Sequence, residues 1–267
     1  MTLDPALLAP GQRYVPGILG GLGPLAHVAF ERAVLACGHR RGARGDADHP
    51  VWLLASASST PGRSAALLEG GPSPVEHLTR FARLLEAAGA DALFVACNTA
   101  HAFHADVQRA LGIPWVHLME LVALAVRDAH PAGTVVGILA TDGTLRAGLY
   151  HRALAAHGLV PLAPDPGDPV QALVRSAIED PATGIKATGA SVSDEAQDRL
   201  VSAAAWCVAR GAGTVVLGCT EVSVGLTAEH CATVPLVDPL VVAAEVLLDL
   251  AAGRREPASL YAPGTAR

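Results

Sequence analysis

Short uninterrupted apolar runs alternate along this chain with amphipathic stretches. Pro16-Gly-Ile-Leu-Gly20 predicts a buried strand ending in a glycine turn, and residues 51–55 predict another strand. Over residues 74–88, Val75, Leu78, Phe81, Ala82 and Leu85 recur at helical spacing and share one face. Strands that are apolar throughout are buried on both faces, and when helices join them they form parallel sheets.

The pattern occurs twice. Pro16-Gly-Ile-Leu-Gly20 is echoed by Val135-Val-Gly-Ile-Leu-Ala140, and the run into Cys97-Asn-Thr99 is echoed by the run into Cys219-Thr-Glu221. Each cysteine lies eight residues beyond a glycine, Gly89 or Gly211. Ile18 to Cys97 spans 79 residues and Ile138 to Cys219 spans 81, while Ile113-Pro-Trp-Val116 matches Val234-Pro-Leu-Val237. Four landmarks at nearly equal spacing indicate two copies of one α/β unit. The expected architecture is two pseudo-symmetric, doubly wound parallel-sheet domains facing a shared cleft. The first covers residues 13–118, with a final helix over 239–252 packed back on it, and the second covers 119–237. Residues 1–12 are expected to form a loose tail.

Composition narrows the function. Of 267 residues, 51% are hydrophobic, 16% charged and 4% aromatic, so the core is built from small side chains. A formal charge of -6 and a pI near 6.0 argue against nucleic acid or an anionic membrane as partner. The basic cluster Arg40-Arg41-Gly-Ala-Arg44 reads as solvated. No signal peptide or membrane-spanning run is evident, and five cysteines without a pairing pattern point to a reducing, cytoplasmic setting.

In parallel α/β sheets ligands bind beyond the carboxyl ends of the strands, where Cys97 and Cys219 are both expected. A helix start lowers a thiol pKa and binds anions through its N–H groups, and Asn98-Thr99 and Thr220-Glu221 supply small polar followers. One thiolate removes a proton from one face of a carbon while an opposed thiol protonates the other. Cys37, Cys207 and Cys231 lack this context and read as core residues. Gly21-x-Gly23-x-x-Ala26 fits a relaxed dinucleotide fingerprint, but Pro24 suits the first turn of a helix, so the glycines read as a tight turn lining the cleft. Cys97, His101 and His104 lack a fourth ligand for zinc, so no metal is expected.

The segments Gly17-Ile-Leu-Gly-Gly-Leu-Gly-Pro-Leu-Ala26, Cys97-Asn-Thr-Ala-His101 and Leu217-Gly-Cys-Thr-Glu221 resemble the signatures of the aspartate/glutamate racemase superfamily. Asp46-Ala-Asp-His49, Ser64-Ala-Ala-Leu-Leu-Glu-Gly-Gly-Pro-Ser-Pro74 and Gly143-Thr-Leu-Arg-Ala-Gly-Leu-Tyr150 are similar to it too. The resemblance implies an amino-acid racemase that uses no pyridoxal, other coenzyme or metal, and forms a homodimer. Its catalytic pair would be Cys97 and Cys219. Gly21, Leu22, Gly23, Asn98, Thr99, Thr220 and Glu221 would hold the substrate, and Arg63 and Lys186 would read an acidic side chain. Pro61-Gly-Arg-Ser64 departs from the usual Pro-Asp-Arg-Thr, so Arg63 lacks its acidic neighbour and the acidic preference is open. Alternatives are a decarboxylase or maleate-type cis–trans isomerase on the same scaffold, or a non-catalytic ligand-binding protein.

Overall fold

A computed structural model of the chain describes residues 3–189, 191–231 and 234–261. In chain order its elements begin β1 (Pro16–Gly20), α1 (Pro24–Arg40), β2 (Leu53–Ser56), α2 (Arg63–Leu68), α3 (Val75–Ala87), β3 (Ala92–Val95), α4 (His104–Gln108) and α5 (Leu118–Ala129). They continue with β4 (Val135–Leu139), α6 (Asp142–Arg146), α7 (Leu149–Ala156), β5 (Val160–Leu162), α8 (Pro169–Glu179), α9 (Ile185–Thr188), α10 (Asp194–Ala209), β6 (Thr214–Leu217), α11 (Thr220–Gly225), β7 (Leu236–Val237) and α12 (Pro239–Ala251). The chain forms two compact units. The first comprises Met1–Gly62, Pro72–Leu118 and Leu240–Arg267, the second Arg63–Gly71 and Met119–Pro239.

Each unit is an α/β layer structure around a wholly parallel sheet, as the apolar runs predict. In the first the strand order is β2-β1-β3, with Ile18 facing Leu54 on one side and Phe94 on the other. The central strand β1 is buried along its whole length, whereas Leu54 on the edge strand is exposed. The amphipathic face of α3 places Leu78, Ala82 and Leu85 in a core shared with Leu19, Leu93 and Trp115. Burial of this apolar surface is the main force holding the layers together. In the second unit the order is β5-β4-β6-β7, with Ile138 facing Val216.

The repeat extends to single hydrogen bonds. Leu93 N–H donates to the Pro114 carbonyl at 2.8 Å, and Val215 N–H to the Pro235 carbonyl at 3.0 Å. Both donors lie four residues before a cysteine. Unit one reduces the fourth strand to a parallel bridge between Leu93 and Trp115, where unit two has β7.

Two expectations change. The segment before residue 13 is anchored: Gln12 Nε2 donates to the Val51 carbonyl at 2.8 Å, and Gln12 Oε1 accepts from Val51 N–H at 2.8 Å. A side-chain amide that pairs with both groups of one peptide residue mimics a strand, which polarity alone does not reveal. The basic cluster is also more than a solvated loop. Arg40 ends α1 and Arg41 caps it, where Arg40 pairs with Glu245 at 3.0 Å and Arg41 with Asp249 at 2.8 Å, both on α12. No helix among the described residues is long and apolar enough to cross a membrane.

Candidate active site

In the first unit the glycine loop and Cys97 close the carboxyl ends of adjacent strands. Ala96 N–H donates to the Leu19 carbonyl at 3.1 Å, extending the β1–β3 pairing by one step, and Leu22 shares a core cluster with Cys97. Pro24 opens α1 as the first helical residue. Gly21 has φ of +80°, and a Cβ there would stand 2.5 Å from the Ala57 nitrogen. Its own N–H donates to His27 Nδ1 at 3.1 Å. Gly21→Ala therefore meets both a disfavoured dihedral and a backbone collision. It is expected to destabilise the fold by at least about 2 kcal/mol, read from urea unfolding midpoints.

Cys97 is buried, as are Asn98 and Thr99 after it. The turn that follows, Thr99–Phe103, is a 3-10 helix, and α4 begins only at His104, so residues 97, 101 and 104 do not line one α-helical face. His101 Nδ1 contacts the Cys97 carbonyl at 2.9 Å, and Trp115 Nε1–H donates to His101 Nε2 at 3.1 Å. Both bonds form together only with the proton on Nδ1, so the 3.4 Å approach of Nε2 to the Val116 carbonyl is a contact without a hydrogen bond. Burial, helped by neighbouring His104, lowers the His101 pKa to about 4. His104 is lowered too, by burial, and its Nε2 lies 2.8 Å from the Trp115 carbonyl.

In the second unit Cys219 is the residue that caps α11. Gly218 before it packs so closely that a Cβ would lie 2.9 Å from Ala140 Cβ and 3.1 Å from the Tyr150 ring. The thiol donates to Glu221 Oε2 at 2.9 Å, and Thr220 Oγ1 donates to the same oxygen at 3.1 Å. Here the expectation of a lowered thiol pKa fails. Burial, then the charge of Glu221 and its hydrogen bond, push Cys219 well above its ordinary value, although Lys186 opposes them. Burial, reinforced by a carboxylate two residues away, holds Cys219 as a thiol.

Lys186 on α9 reaches this cluster. Burial works against its charge, but Glu221, Cys219 and Glu179 raise it above the ordinary value, and Glu179 pairs with it at 3.0 Å. Tyr150 is fully buried, and its phenol is pushed up by burial, then by Asp238 and Cys219. Arg63 opens α2, which packs against α6 within the second unit. Of the residues singled out from sequence, Gly21, Leu22, Gly23, Cys97, Asn98 and Thr99 thus belong to the first unit. Lys186, Cys219, Thr220 and Glu221 gather in the second, which also carries Arg63. The contacts of His27, Trp115, Tyr150 and the His101 ring were not legible, though the position of His101 four residues after Cys97 was a usable signal.

Cys37 and Cys207 are raised to about 11 chiefly by burial, which makes them protonated core residues at neutral pH. Arg40 also donates to Cys37 Sγ at 2.8 Å.

Fold and site together define a class: two-unit parallel α/β proteins, here with a buried thiol just beyond β3 in the first unit and just beyond β6 in the second. Solved structures of this architecture include aspartate racemase from Picrophilus torridus, with a TM-score of 0.75 and 24% identity over 93% of this chain and 98% of that one. An aspartate racemase homologue from Pyrococcus horikoshii OT3 gives 0.68 and 23%, over 90% and 99%. Residues 19–247 match the Asp/Glu/Hydantoin racemase profile, and the chain belongs to that family. Among curated proteins, the broad specificity amino-acid racemase RacX of Bacillus subtilis is 30% identical over 149 residues, 53% of this chain and 61% of the relative. Glutamate racemase of Corynebacterium glutamicum is 31% identical over 158 residues, 57% of this chain and 52% of the relative. The chain thus matches little more than half the length of these two curated relatives.

Proposed function

We propose that this protein is a coenzyme-independent amino-acid racemase acting on aspartate or glutamate, with Cys97 and Cys219 on opposite faces of the substrate α-carbon. The observation that carries the reading is the equivalence of the two cysteines, each two residues beyond the strand that pairs with the first strand of its unit and four residues after the strand residue bonded to a proline carbonyl. The names of the aspartate, glutamate and broad-specificity racemases that the chain resembles support it.

In the reaction one cysteine, as thiolate, takes the α-proton: the C–H bond breaks and its electron pair is delocalised into the substrate carboxylate. The other, as thiol, delivers its own proton to the opposite face, and the two sulfurs exchange protonation states. The state described here, with the Cys219 S–H bonded to Glu221, has Cys219 ready as the donor. A positioned acid–base group contributes typically about 10²–10⁴-fold, so hydrogen bonds to the carboxylate must supply much of the remaining barrier reduction. The glycine-loop N–H groups, Asn98, Thr99 and Thr220 are the candidates for that work. Lys186 and Arg63 would take the side-chain carboxylate. Glu221 Oε2 serves two internal donors, which suits it to the thiol better than to an anionic substrate. The reading carries a homodimer as its assembly.

The test is incubation with each enantiomer of aspartate and glutamate, and with maleate, followed by chiral separation. Interconversion of enantiomers is expected. Release of carbon dioxide or formation of fumarate instead would transfer the assignment to a decarboxylase or an isomerase, and no turnover at all would leave a binding protein.

In deuterated solvent, product at low conversion should carry deuterium at the α-carbon while recovered substrate stays largely protiated. Product that keeps its original proton would mean one group serves both faces, and the two-thiol scheme would be abandoned.

A further inference from the structure

We propose that His101 is a positioning residue whose imidazole replaces a missing helical hydrogen bond and thereby fixes Cys97. The comparison between the units carries this. After Cys219 the chain enters α11, and Ser223 N–H, four residues on, donates to the Cys219 carbonyl at 3.2 Å. After Cys97 the turn is 3-10, and His101 N–H, also four residues on, donates to the Asn98 carbonyl at 3.0 Å instead. The Cys97 carbonyl is thereby deprived of its α-helical donor, and a buried carbonyl without one is costly. The side chain of the same residue supplies the bond, Nδ1 to the Cys97 oxygen at 2.9 Å. On the other side, Cys97 N–H donates to the Val95 carbonyl at 2.8 Å. Both peptide groups flanking the Cys97 Cα are therefore pinned.

The ring itself is held. Trp115 Nε1–H donates to Nε2 at 3.1 Å and fixes the tautomer that places the proton on Nδ1. His101 is 3% exposed and Trp115 0%, so water does not compete for either bond. His104 in turn lies 2.8 Å from the Trp115 carbonyl and ties that segment to the start of α4. The inference rests on the reading of Cys97 as a proton-transfer thiol, because only a reacting sulfur needs its place set this closely.

Asparagine and glutamine separate the two ring nitrogens. His101→Asn keeps an N–H near the place of Nδ1, whereas His101→Gln moves it toward the place of Nε2. In the full-length enzyme, kcat of the Asn variant should stay within about threefold of wild type. In the Gln variant kcat should fall roughly 30- to 100-fold with KM within about twofold, as expected when a reacting group is displaced by about 1 Å. Equal activity of the two folded variants, whether both high or both low, would overturn the proposal. A second measurement needs neither variant nor substrate. With ¹⁵N-labelled imidazole and a ¹³C-labelled Cys97 carbonyl, NMR should find His101 protonated on Nδ1 and coupled across the hydrogen bond to that carbon. A proton on Nε2 would overturn the proposal even in an active enzyme. Intact coupling in a protein that turns over no amino acid would count against the racemase reading alone.

Discussion

Alanine at Cys97 or at Cys219 is expected to lower kcat/KM for racemisation by at least about 10³-fold, because stereoinversion needs an acid and a base on opposite faces and neither thiol can stand in for the other. Enantiomers are equal in free energy, so kcat/KM must fall equally in both directions whichever thiol is removed. What distinguishes the variants is exchange without inversion. The remaining thiol still faces one side of the α-carbon, so each variant should catalyse solvent-deuterium exchange into one enantiomer only, and the two variants into opposite ones. Both cysteines are 6% exposed, and trimming one sulfur should cost on the order of 1 kcal/mol, too little to unfold a domain of ordinary stability. Circular dichroism should therefore be unchanged. A folded variant that keeps more than a few per cent of racemase turnover, or exchanges both enantiomers, would remove that cysteine from the mechanism.

The second large effect is on acid stability. In the unfolded chain His101 binds a proton near pH 6.5, whereas in the folded protein it does so only near 4. Between these values the unfolded state holds more protons. The stabilisation is therefore complete above about pH 6.5, is lost as pH falls toward 4, and levels off below. At about 1.36 kcal/mol per pKa unit the full loss is roughly 3 kcal/mol, most of it reached by pH 4.5, and comparison with His101→Asn separates it from carboxylate titration in the same range. His104 and His151, both lowered chiefly by burial, add in the same direction. The cause is local: burial strips the imidazolium of water, and the neighbouring His104 ring stands 6.5 Å away. Urea midpoints measured at pH 7, 5.5 and 4.5 should fall steadily for the wild type and less steeply for His101→Asn. A wild-type midpoint flat over that range, or an equal slope in the variant, would show that the buried imidazole carries no such linkage.

Much of the fold was legible because burial writes a period into sequence. A strand covered on both faces must be apolar throughout, as 16–20 and 135–139 are, and a helix lying on a sheet must repeat near 3.6, as Val75, Leu78, Ala82 and Leu85 do. Repeated spacing between Ile18 and Cys97 and between Ile138 and Cys219 likewise exposed the duplication, since equivalent units must span the same layers. Gln12 was misread because its partner, the backbone of Val51, has no side-chain signature.

The chemistry of the sulfurs divides the same way. Residue type and spacing determined that two thiols end equivalent strands, that Glu221 stands two residues past one of them, and that His101 stands four past the other. Only tertiary structure decided what those neighbours do. The Cys219 sulfur is buried beside the Glu221 carboxylate, where removing water raises the cost of a second negative charge and keeps the thiol protonated. The His101 ring takes its tautomer from Trp115, fourteen residues along the chain, because the bridge to Leu93 brings that indole against it. Periodicity records which side of an element is dry. Protonation and hydrogen-bond direction depend on which polar atoms meet in that dry space, and distant parts of the chain supply them.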